Sequence, residues 1–371
     1  PGNLAIVVGP DIDYSLVQPT EGRFAGKKLY FATALLPQFT KELGDNYAVL
    51  KELKGSDLVG RRYWPVFPYL ADGKATSQDG EQGEDPNAFT IYPADYVETT
   101  EGTGLVHQAV YGEDDINTLN KYGVRTVDYL DEGCRFTSLV PDYQGTRVFE
   151  ANTPIVRDLR HHTGALADIP EDHRAFLVQE RSYSHSYPHC WRCGTPLIYK
   201  PVSSWFVAVS KIKDHLLAHN QEINWIPDNV KDGQFGKWLS NARDWSISRN
   251  RYWGSPIPVW VSDDPAYPRV DVYGSLAELK RDFGRYPTDD KGKINLHRPW
   301  VDSLTRPNPN DPTGKSTMRR ISDVLDCWFE SGSMPFAQFH YPFENKEYFE
   351  QHFPGDYVVE YIGQTRGWFY T

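Results

Sequence analysis

The first half of the chain alternates short apolar runs with turn-forming residues. These runs are NLAIVV, KKLYFATAL, YAVLKEL, AFTIYPADYVET, GLVHQAV and RVFEANTPIVRDLRHHTGAL, and Gly, Pro or Asp residues separate them. Short apolar runs bounded by turn residues are typical of strands. We therefore predict that residues 1–180 form a strand-rich, mixed α/β and α+β unit with a few helices. The polar stretch at residues 72–87 predicts a surface loop.

One segment of this half concentrates residues that can carry chemistry. Residues 101–115 read EGTGLVHQAVYGEDD. Gly102, Thr103 and Gly104 allow the backbone to turn tightly and to approach a ligand closely. The apolar residues on both sides of His107 predict a short buried strand or the start of a helix, with the histidine facing one wall. A glycine turn, a buried histidine and nearby carboxylates together predict a pocket.

The same segment has a purely structural interpretation. Residues 116–122 carry apolar side chains at helical spacing, and Gly123 is placed to end the helix. Asp114 or Asp115 would then cap the helix, where the helix dipole favours negative charge. His107 would be a hydrogen-bonded core histidine. The residues alone leave both interpretations open.

After about residue 185 the composition shifts toward Trp, Arg and Pro. Aromatic and basic side chains that alternate can bind nucleic acid through base stacking and phosphate contacts. The alternative is core packing beneath a solvated face. The residues concerned are Trp191, Trp205, Trp225, Trp238, Trp245, Trp253, Trp260, Lys200, Lys211, Lys213, Lys231, Lys237, Arg243, Arg249 and Arg251.

Cysteine spacing indicates half of a metal site. Cys190 and Cys193 form a CxxC pair followed by Gly194, which is the pattern of a zinc knuckle. A second CxxC is missing from the sequence, and Cys134 and Cys327 are isolated. Two free cysteines in a turn are the alternative. Four cysteines in a chain of this length do not make a disulfide framework.

Two later segments place polar residues beside tryptophans. Residues 321–336, ISDVLDCWFESGSMPF, surround Trp328 with carboxylates. Residues 358–371, VVEYIGQTRGWFYT, predict an apolar strand that ends at Glu360 and meets a glycine turn containing Gln364, with Trp368 beyond it. Ligands of open α/β sheets bind at such strand ends.

Length and charge limit the class of protein. The 371 residues are enough for two or three domains. A net charge of −11 argues against nucleic-acid binding through bulk charge. Because no apolar run approaches about 18 residues, we expect a soluble, cytoplasmic protein with no membrane contact. The chain opens on a strand pattern without an initiator methionine, so we expect it to be a piece of a longer protein.

Several motifs occur together in an order that carries a family resemblance. GTGLVHQAVYGEDD, PHCWRCGTPL, DWSISRNRYWGSPIPVW, DVLDCWFESGS and VEYIGQTRGWF follow one another along the chain. In this order they closely resemble the isoleucyl-tRNA synthetases, which are class I aminoacyl-tRNA synthetases. The resemblance covers nearly the whole chain. The histidine at position 107 favours this family over the valyl and leucyl enzymes.

The resemblance implies a Rossmann-like catalytic fold that is interrupted by an editing domain. Residues 1–180 would be the editing domain, a distorted barrel with helices that lacks its first strands. Residues 181–245 would be the return connection with the CxxC turn, and residues 246–371 would be part of the catalytic domain. The ATP-binding HIGH-type and KMSKS-type motifs are missing from this sequence, so the resemblance implies no aminoacylation by the chain alone.

The resemblance also implies roles for single residues in the editing half. His107 would narrow a valine-sized pocket, and Asp115, or its neighbour Asp114, would bind the substrate's α-ammonium group. Thr103 and Gly104 would approach the terminal adenosine of the tRNA.

In the catalytic half, Glu360 and Gln364 would contact the aminoacyl-adenylate, while Trp328 and Trp368 would line the isoleucine pocket. Gly363 stands where the family commonly has an aspartate.

Cofactors and partners follow from the same resemblance. The longer enzyme would use ATP and Mg²⁺, bind isoleucine, valine and tRNA(Ile), and act as a monomer. Zinc at the half site formed by Cys190 and Cys193 remains open, and editing would need no cofactor. The implied reaction is hydrolysis of valyl-tRNA(Ile). The alternatives are a tRNA-docking scaffold without activity and the equivalent region of a valyl-tRNA synthetase.

Overall fold

The computed structural model describes residues 1–71, 85–182 and 184–371. These residues divide into two compact units, Pro1–Pro201 and Val202–Thr371. Both units combine helices with small sheets, so the fold class is mixed α/β. Among the described residues, no helix is both long and apolar enough to cross a membrane.

Two three-stranded sheets form the first unit. One has the order β5, β1, β6, with β1 parallel to β5 and antiparallel to β6; the other has the order β3, β2, β4 and is antiparallel. Fully buried side chains such as Tyr14, Phe31 and Leu35 pack around the second sheet. The strands are β1 (Ala5–Val8), β2 (Asp13–Pro19), β3 (Leu29–Ala32), β4 (Tyr47–Lys54), β5 (Ile91–Pro93) and β6 (Leu105–Gln108).

Among the described residues of this unit there are three α-helices: α1 (Thr40–Leu43), α2 (Glu113–Lys121) and α3 (Val148–His161). The prediction of a strand at RVFEANTPIVRDLRHHTGAL is wrong, because α3 occupies that segment. Val148, Ala151, Ile155 and Leu159 recur every three or four residues, and all four contribute to one apolar cluster.

The second unit is built on an antiparallel four-stranded sheet with the order β11, β10, β13, β12. The fully buried Trp260 of β10 packs against Tyr273 and Met318. The strands are β7 (Phe206–Val207), β8 (Trp245–Ser246), β9 (Ser248–Arg249), β10 (Val259–Ser262), β11 (Val270–Val272), β12 (Arg306–Pro307), β13 (Thr317–Arg320) and β14 (Val324–Leu325). The helices are α4 (Lys213–Glu222), α5 (Gly236–Ser240), α6 (Leu276–Phe283), α7 (Cys327–Ala337) and α8 (Lys346–His352).

The predicted strand that ends at Glu360 is not formed. Residues 357–361 are exposed and have no strand assignment, and a 3-10 helix over Ile362–Arg366 follows them. A strand requires a hydrogen-bonded neighbour, and no strand in the described part of the chain pairs with this segment.

Most of the predicted polar loop at residues 72–87 lies outside the described residues. The structure describes residues 85–87 of this stretch, and hydrogen bonds to the Asp85 side chain hold them in place. The Asp85 carboxylate accepts hydrogen bonds from the backbone amides of Asn87 at 2.8 Å and Arg125 at 2.7 Å.

Candidate functional site

The glycine turn before β6 is fastened to the sheet of β2 and β3. The Thr103 carbonyl accepts the Ala32 amide at 2.8 Å, and the Gly104 carbonyl accepts the buried Tyr14 hydroxyl at 2.6 Å. Gly102 and Gly104 have φ angles of 69° and 77°. At Gly104 a Cβ would lie 2.5 Å from the Ala32 Cβ, so this position requires glycine for both conformation and space.

The Thr103 side chain stays local to the turn. It is half-buried, and its hydroxyl oxygen lies 3.4 Å from the Leu105 amide. This contact lies at the start of β6.

His107 lies on β6 opposite Ile6 of β1, and it is exposed. The expectation of a buried histidine is therefore wrong, since the adjacent Gln108 occupies the fully buried position. Successive residues of a strand face opposite sides, so only one of this pair can enter the core. Surrounding protein atoms displace water from the His107 imidazole, and this desolvation is the largest cause that lowers its pKa and favours the neutral ring.

The two aspartates occupy the first turn of α2 but differ in burial. Asp115 is half-buried, and its Oδ2 lies 3.5 Å from the Ala109 amide, whereas Asp114 is exposed. Neither carboxylate caps the helix: Gly112 is the N-cap residue and α2 has no side-chain cap. Burial is the largest cause that raises the pKa of Asp115. The hydrogen bond from the Ala109 amide lowers this pKa, and the negative charge of Asp114 raises it.

A part-buried polar network links β6 to α2. The Tyr96 hydroxyl donates to Gln108 Oε1 at 2.7 Å and lies 3.0 Å from Thr118 Oγ1. The Gln108 side chain also donates to the His107 carbonyl at 3.1 Å. Sequence reasoning missed these three residues. The signal available was the polar Gln108 within an otherwise apolar run, because a buried amide needs partners.

Three of the four residues predicted for the catalytic half come together in the second unit. Gln364 Oε1 accepts the Trp368 amide at 3.0 Å, and the Trp368 indole donates to the Ser331 carbonyl of α7 at 3.1 Å. A Cβ placed at Gly367 would lie 3.0 Å from the Trp328 ring. Trp328 is 41% exposed, so one face of this cluster is open. Glu360 is exposed in the extended segment before it.

The CxxC turn has the backbone of a knuckle. The Cys190 amide donates to the Thr195 carbonyl, and the Gly194 amide donates to the Cys190 carbonyl, both at 2.8 Å. Hydrogen bonds from Thr195, and then from Cys190, lower the pKa of the Cys193 thiol to about 7. Structural zinc takes four ligands. Within the described ranges, no group of three or more His, Cys, Asp or Glu side chains is placed to hold a metal.

The tryptophans of the second half divide between core and surface. Trp260 is fully buried, whereas Trp191 is 85% exposed and Trp253 is 66% exposed. The Arg192 guanidinium lies 4.7 Å from the Trp191 ring centroid, and His297 stacks on Trp253 at 4.7 Å. Trp260 is therefore a core residue, as the core-packing alternative predicts. Trp191 and Trp253 are exposed rings on which another aromatic group can stack.

An open groove runs along α3, apart from these residues. Its arginines are both paired with carboxylates, Arg157 with Asp158 and Arg160 with Glu180. The lining residues are Asn152, Thr153, Val156, Arg157, Arg160, His161 and Glu180. The paired charges leave the groove without free arginine charge for an anionic ligand.

Comparisons with known proteins give consistent matches. The chain is 72% identical over 370 residues to the isoleucine--tRNA ligase of Bifidobacterium longum (strain NCC 2705), covering 100% of this chain and 33% of that protein. It is 55% identical over 372 residues to the isoleucine--tRNA ligase of Mycobacterium tuberculosis (strain ATCC 25618 / H37Rv), with the same coverage of both. The chain thus spans about a third of the length of these relatives.

A solved structure entitled "The crystal structure of GlLeuRS-CP1" matches with 16% identity and a TM-score of 0.23, covering 37% of this chain and 48% of that one. A score this low supports no argument about the fold.

The family model described as "tRNA synthetases class I (I, L, M and V)" matches residues 32–371. That range covers the first unit from the end of β3 onward and the whole of the second unit. The chain belongs to the class I tRNA synthetases of the isoleucine, leucine, methionine and valine group.

Proposed function

We propose that this chain is the editing and partial catalytic region of an isoleucine--tRNA ligase. The support is its 72% identity, over its whole length, to a ligase of that name. Residues 1–180 are assigned to the editing domain, a distorted barrel with helices. Residues 181–245 are assigned to the return connection, and residues 246–371 to part of a Rossmann-like catalytic domain.

The editing reaction follows from a limit on molecular recognition. Isoleucine and valine differ by one methylene, so an apolar pocket can distinguish them by a binding free energy of only about 1 to 3 kcal/mol. This pair of amino acids is the standard example of that limit on selectivity. A second site that accepts valine and excludes isoleucine removes the errors by hydrolysis. Under this proposal the site is the surface formed by the glycine turn, His107 and Asp115.

The observation that carries this proposal is the joining of β6 to α2. The amide of Ala109, the residue after β6, lies 3.5 Å from the Asp115 carboxylate of α2, so the segment that follows His107 meets a half-buried carboxylate. In our proposal Asp115 pairs with the substrate's α-ammonium group, and its half-buried position strengthens that charge-assisted bond. His107 limits the size of the side chain, while the backbone of Thr103 and Gly104 faces the terminal adenosine.

The chemistry needs no protein nucleophile. A water oxygen attacks the carbonyl carbon of the aminoacyl ester, and the bond from that carbon to the ribose oxygen breaks. The ribose oxygen takes up a proton, and the products are valine and uncharged tRNA. Orientation of the ester and the water supplies much of the rate.

The second unit and the cofactors belong to the synthetic reaction of the longer enzyme. We assign Glu360 and Gln364 to contacts with the aminoacyl-adenylate, and Trp328 and Trp368 to the wall of the isoleucine pocket. ATP and Mg²⁺ serve that reaction in a monomeric, cytoplasmic enzyme. Cys190 and Cys193 would supply only two of the four ligands that structural zinc requires.

The test is a comparison of two substrates. The purified chain is incubated with tRNA(Ile) charged with radiolabelled valine or isoleucine, and release of the amino acid is followed. We expect valine release to exceed isoleucine release by about tenfold or more, because one methylene in a size-selective pocket gives that range. Equal cleavage of the two esters would contradict an editing function.

A second candidate is a tRNA-docking scaffold without activity. The exposed Trp191 and Trp253, each beside a basic or imidazole side chain, favour it because such rings stack on unpaired bases. Filter binding with uncharged tRNA(Ile) over a range of salt concentrations tests it. Salt-dependent binding without ester cleavage supports the scaffold, and the lack of any salt-dependent binding excludes it.

A further inference from the structure

Tyr96 joins the strand that carries His107 to the helix that carries Asp115. Its hydroxyl proton is given to Gln108 Oε1 at 2.7 Å, so the 3.0 Å contact with Thr118 is a bond that the Thr118 hydroxyl donates. Gln108 continues the path by donating to the His107 carbonyl at 3.1 Å. A continuous chain of hydrogen bonds therefore connects the backbone of β6 to α2.

The direct link between β6 and α2 in this region is weaker. The Ala109 amide lies 3.5 Å from Asp115 Oδ2, beyond the usual range for an N–H···O bond. The Tyr96 bonds are shorter, and both of their partners are buried: Gln108 is 0% exposed and Thr118 is 7% exposed. Removal of the phenol oxygen would leave two buried polar groups without this partner, which is costly. The bridge is therefore the stronger of these two polar links between strand and helix.

The surroundings of Tyr96 keep its hydroxyl protonated. Burial is the largest cause that raises the pKa of Tyr96, and the negative charges of Asp115 and Asp114 add to it, against the opposing bonds from Thr118 and Gln108. The hydroxyl therefore remains a donor at neutral pH. Tyr96 is also 39% exposed, so the bridge reaches the surface of the first unit.

We propose that Tyr96 is a positioning residue for the ester hydrolysis: its bridge between Gln108 and Thr118 holds the His107 segment at a fixed distance from Asp114 and Asp115. This inference rests on the proposed editing function. Tyr96 acts on the reaction through His107 and Asp115, by setting the width of the site between the size-limiting imidazole and the carboxylate that binds the α-ammonium group.

The experiment compares Tyr96→Phe with the matched control Tyr92→Phe. The Tyr92 hydroxyl also makes a hydrogen bond, to the Asn87 carbonyl at 2.7 Å, but it has no bond to Gln108 or to α2. Hydrogen–deuterium exchange of peptides covering residues 105–121 reports the link between β6 and α2 without requiring activity. Steady-state hydrolysis of valyl-tRNA(Ile) gives kcat and KM separately.

For Tyr96→Phe we expect exchange in residues 105–121 to rise by about tenfold and kcat to fall by about tenfold, with KM nearly unchanged. Tyr92→Phe should match the unmodified chain in both measurements. Thr118→Val removes the other side of the bridge, so adding it to Tyr96→Phe should lower kcat little further. A role limited to stability would raise the exchange in residues 105–121 and leave the kcat of the folded chain unchanged.

The outcomes separate the two hypotheses. An unmodified chain that fails to cleave valyl-tRNA(Ile) contradicts the editing function and, with it, the role of Tyr96. An active chain whose Tyr96→Phe variant keeps its exchange rates, or keeps its kcat, contradicts the positioning role and leaves the editing function standing.

Discussion

Asp114 and Asp115 are neighbours with the same chemistry, and their surroundings separate them. Asp115 is half-buried beside the Ala109 amide, and Asp114 is exposed to solvent. The sequence identifies both as candidates for binding an ammonium group. Burial favours Asp115, since a charge pair formed away from water is stronger. A single sequence does not reveal this difference, because it depends on how α2 packs against β6.

The raised pKa of Asp115 predicts a conflict between stability and function. A carboxyl whose pKa is higher in the folded chain than in the unfolded chain destabilises the folded state once it is ionised. This loss of stability is absent below the carboxyl's ordinary pKa of 3.8, because Asp115 is then protonated in both the folded and the unfolded chain. It is complete above the folded-state pKa, where Asp115 is ionised in both. We expect Asp115→Asn to raise the melting temperature at pH 7 and to leave it nearly unchanged below about pH 3.8, as measured by calorimetry. A loss of stability at pH 7 would contradict this.

His107 predicts a change in substrate selection. The imidazole is exposed on β6, so its removal opens space without leaving a cavity in the core. We expect His107→Ala to reduce the preference for valyl- over isoleucyl-tRNA(Ile) by about tenfold, the worth of about one methylene. The ratio of the two hydrolysis rates measures the effect, and unchanged selectivity would remove His107 from the pocket wall.

At the scale of elements, local sequence predicts the turns better than it predicts the partners of each segment. The glycine turn at 102–104 and the end of α2 near Gly123 follow from residue types, and both are present. The prediction that His107, rather than Gln108, faces the interior is wrong. The sequence does not show which face of a strand is buried until the neighbouring elements are known. The apolar residues of the α3 segment, counted as a run, predict a strand, whereas their helical period predicts the helix that forms.

The two glycines of the turn predict different costs for the same substitution. Both have positive φ, so an added Cβ strains either backbone by about 1 kcal/mol. At Gly102 nothing lies within 4 Å of the new Cβ, whereas at Gly104 it would overlap the Ala32 Cβ. We expect Gly102→Ala to lower the free energy of unfolding by about 1 kcal/mol and Gly104→Ala by about 3 kcal/mol, measured by urea denaturation. Equal losses would contradict the packing of this turn on β3.

At the scale of the whole molecule, each apolar cluster described here belongs to a single unit. Four clusters lie within Pro1–Pro201 and two within Val202–Thr371. A compact unit with its own core is able to fold alone. Sequence composition indicates a change of character near residue 185 but does not locate the boundary, because the contacts of residues 198 and 200 with the first unit are made only in the fold.

This arrangement predicts that residues 1–201 fold without the rest of the chain. We expect a single cooperative thermal transition and unchanged valine release for this shorter polypeptide, because β6, α2 and Tyr96 all lie within it. Circular dichroism and the hydrolysis assay measure the two properties. A polypeptide of residues 1–175 is the control, since it lacks Ile198 and the ion pair of Lys200 with Asp128 and should be less stable. A gradual, non-cooperative melt of the 1–201 polypeptide would contradict the assignment of an independent core.

We propose that the surface between β6 and α2 hydrolyses the aminoacyl ester of mischarged valyl-tRNA(Ile). The most direct test of this proposal is the initial rate of valine release from valyl-tRNA(Ile) by Asp115→Asn, with Asp114→Asn as the matched control. We expect a fall of at least about tenfold for Asp115→Asn, because a charge-assisted bond to the α-ammonium group is worth about 1.5 to 3 kcal/mol. For Asp114→Asn we expect a rate within about twofold of the unmodified chain. Equal rates for the two variants and the unmodified chain would contradict the proposal.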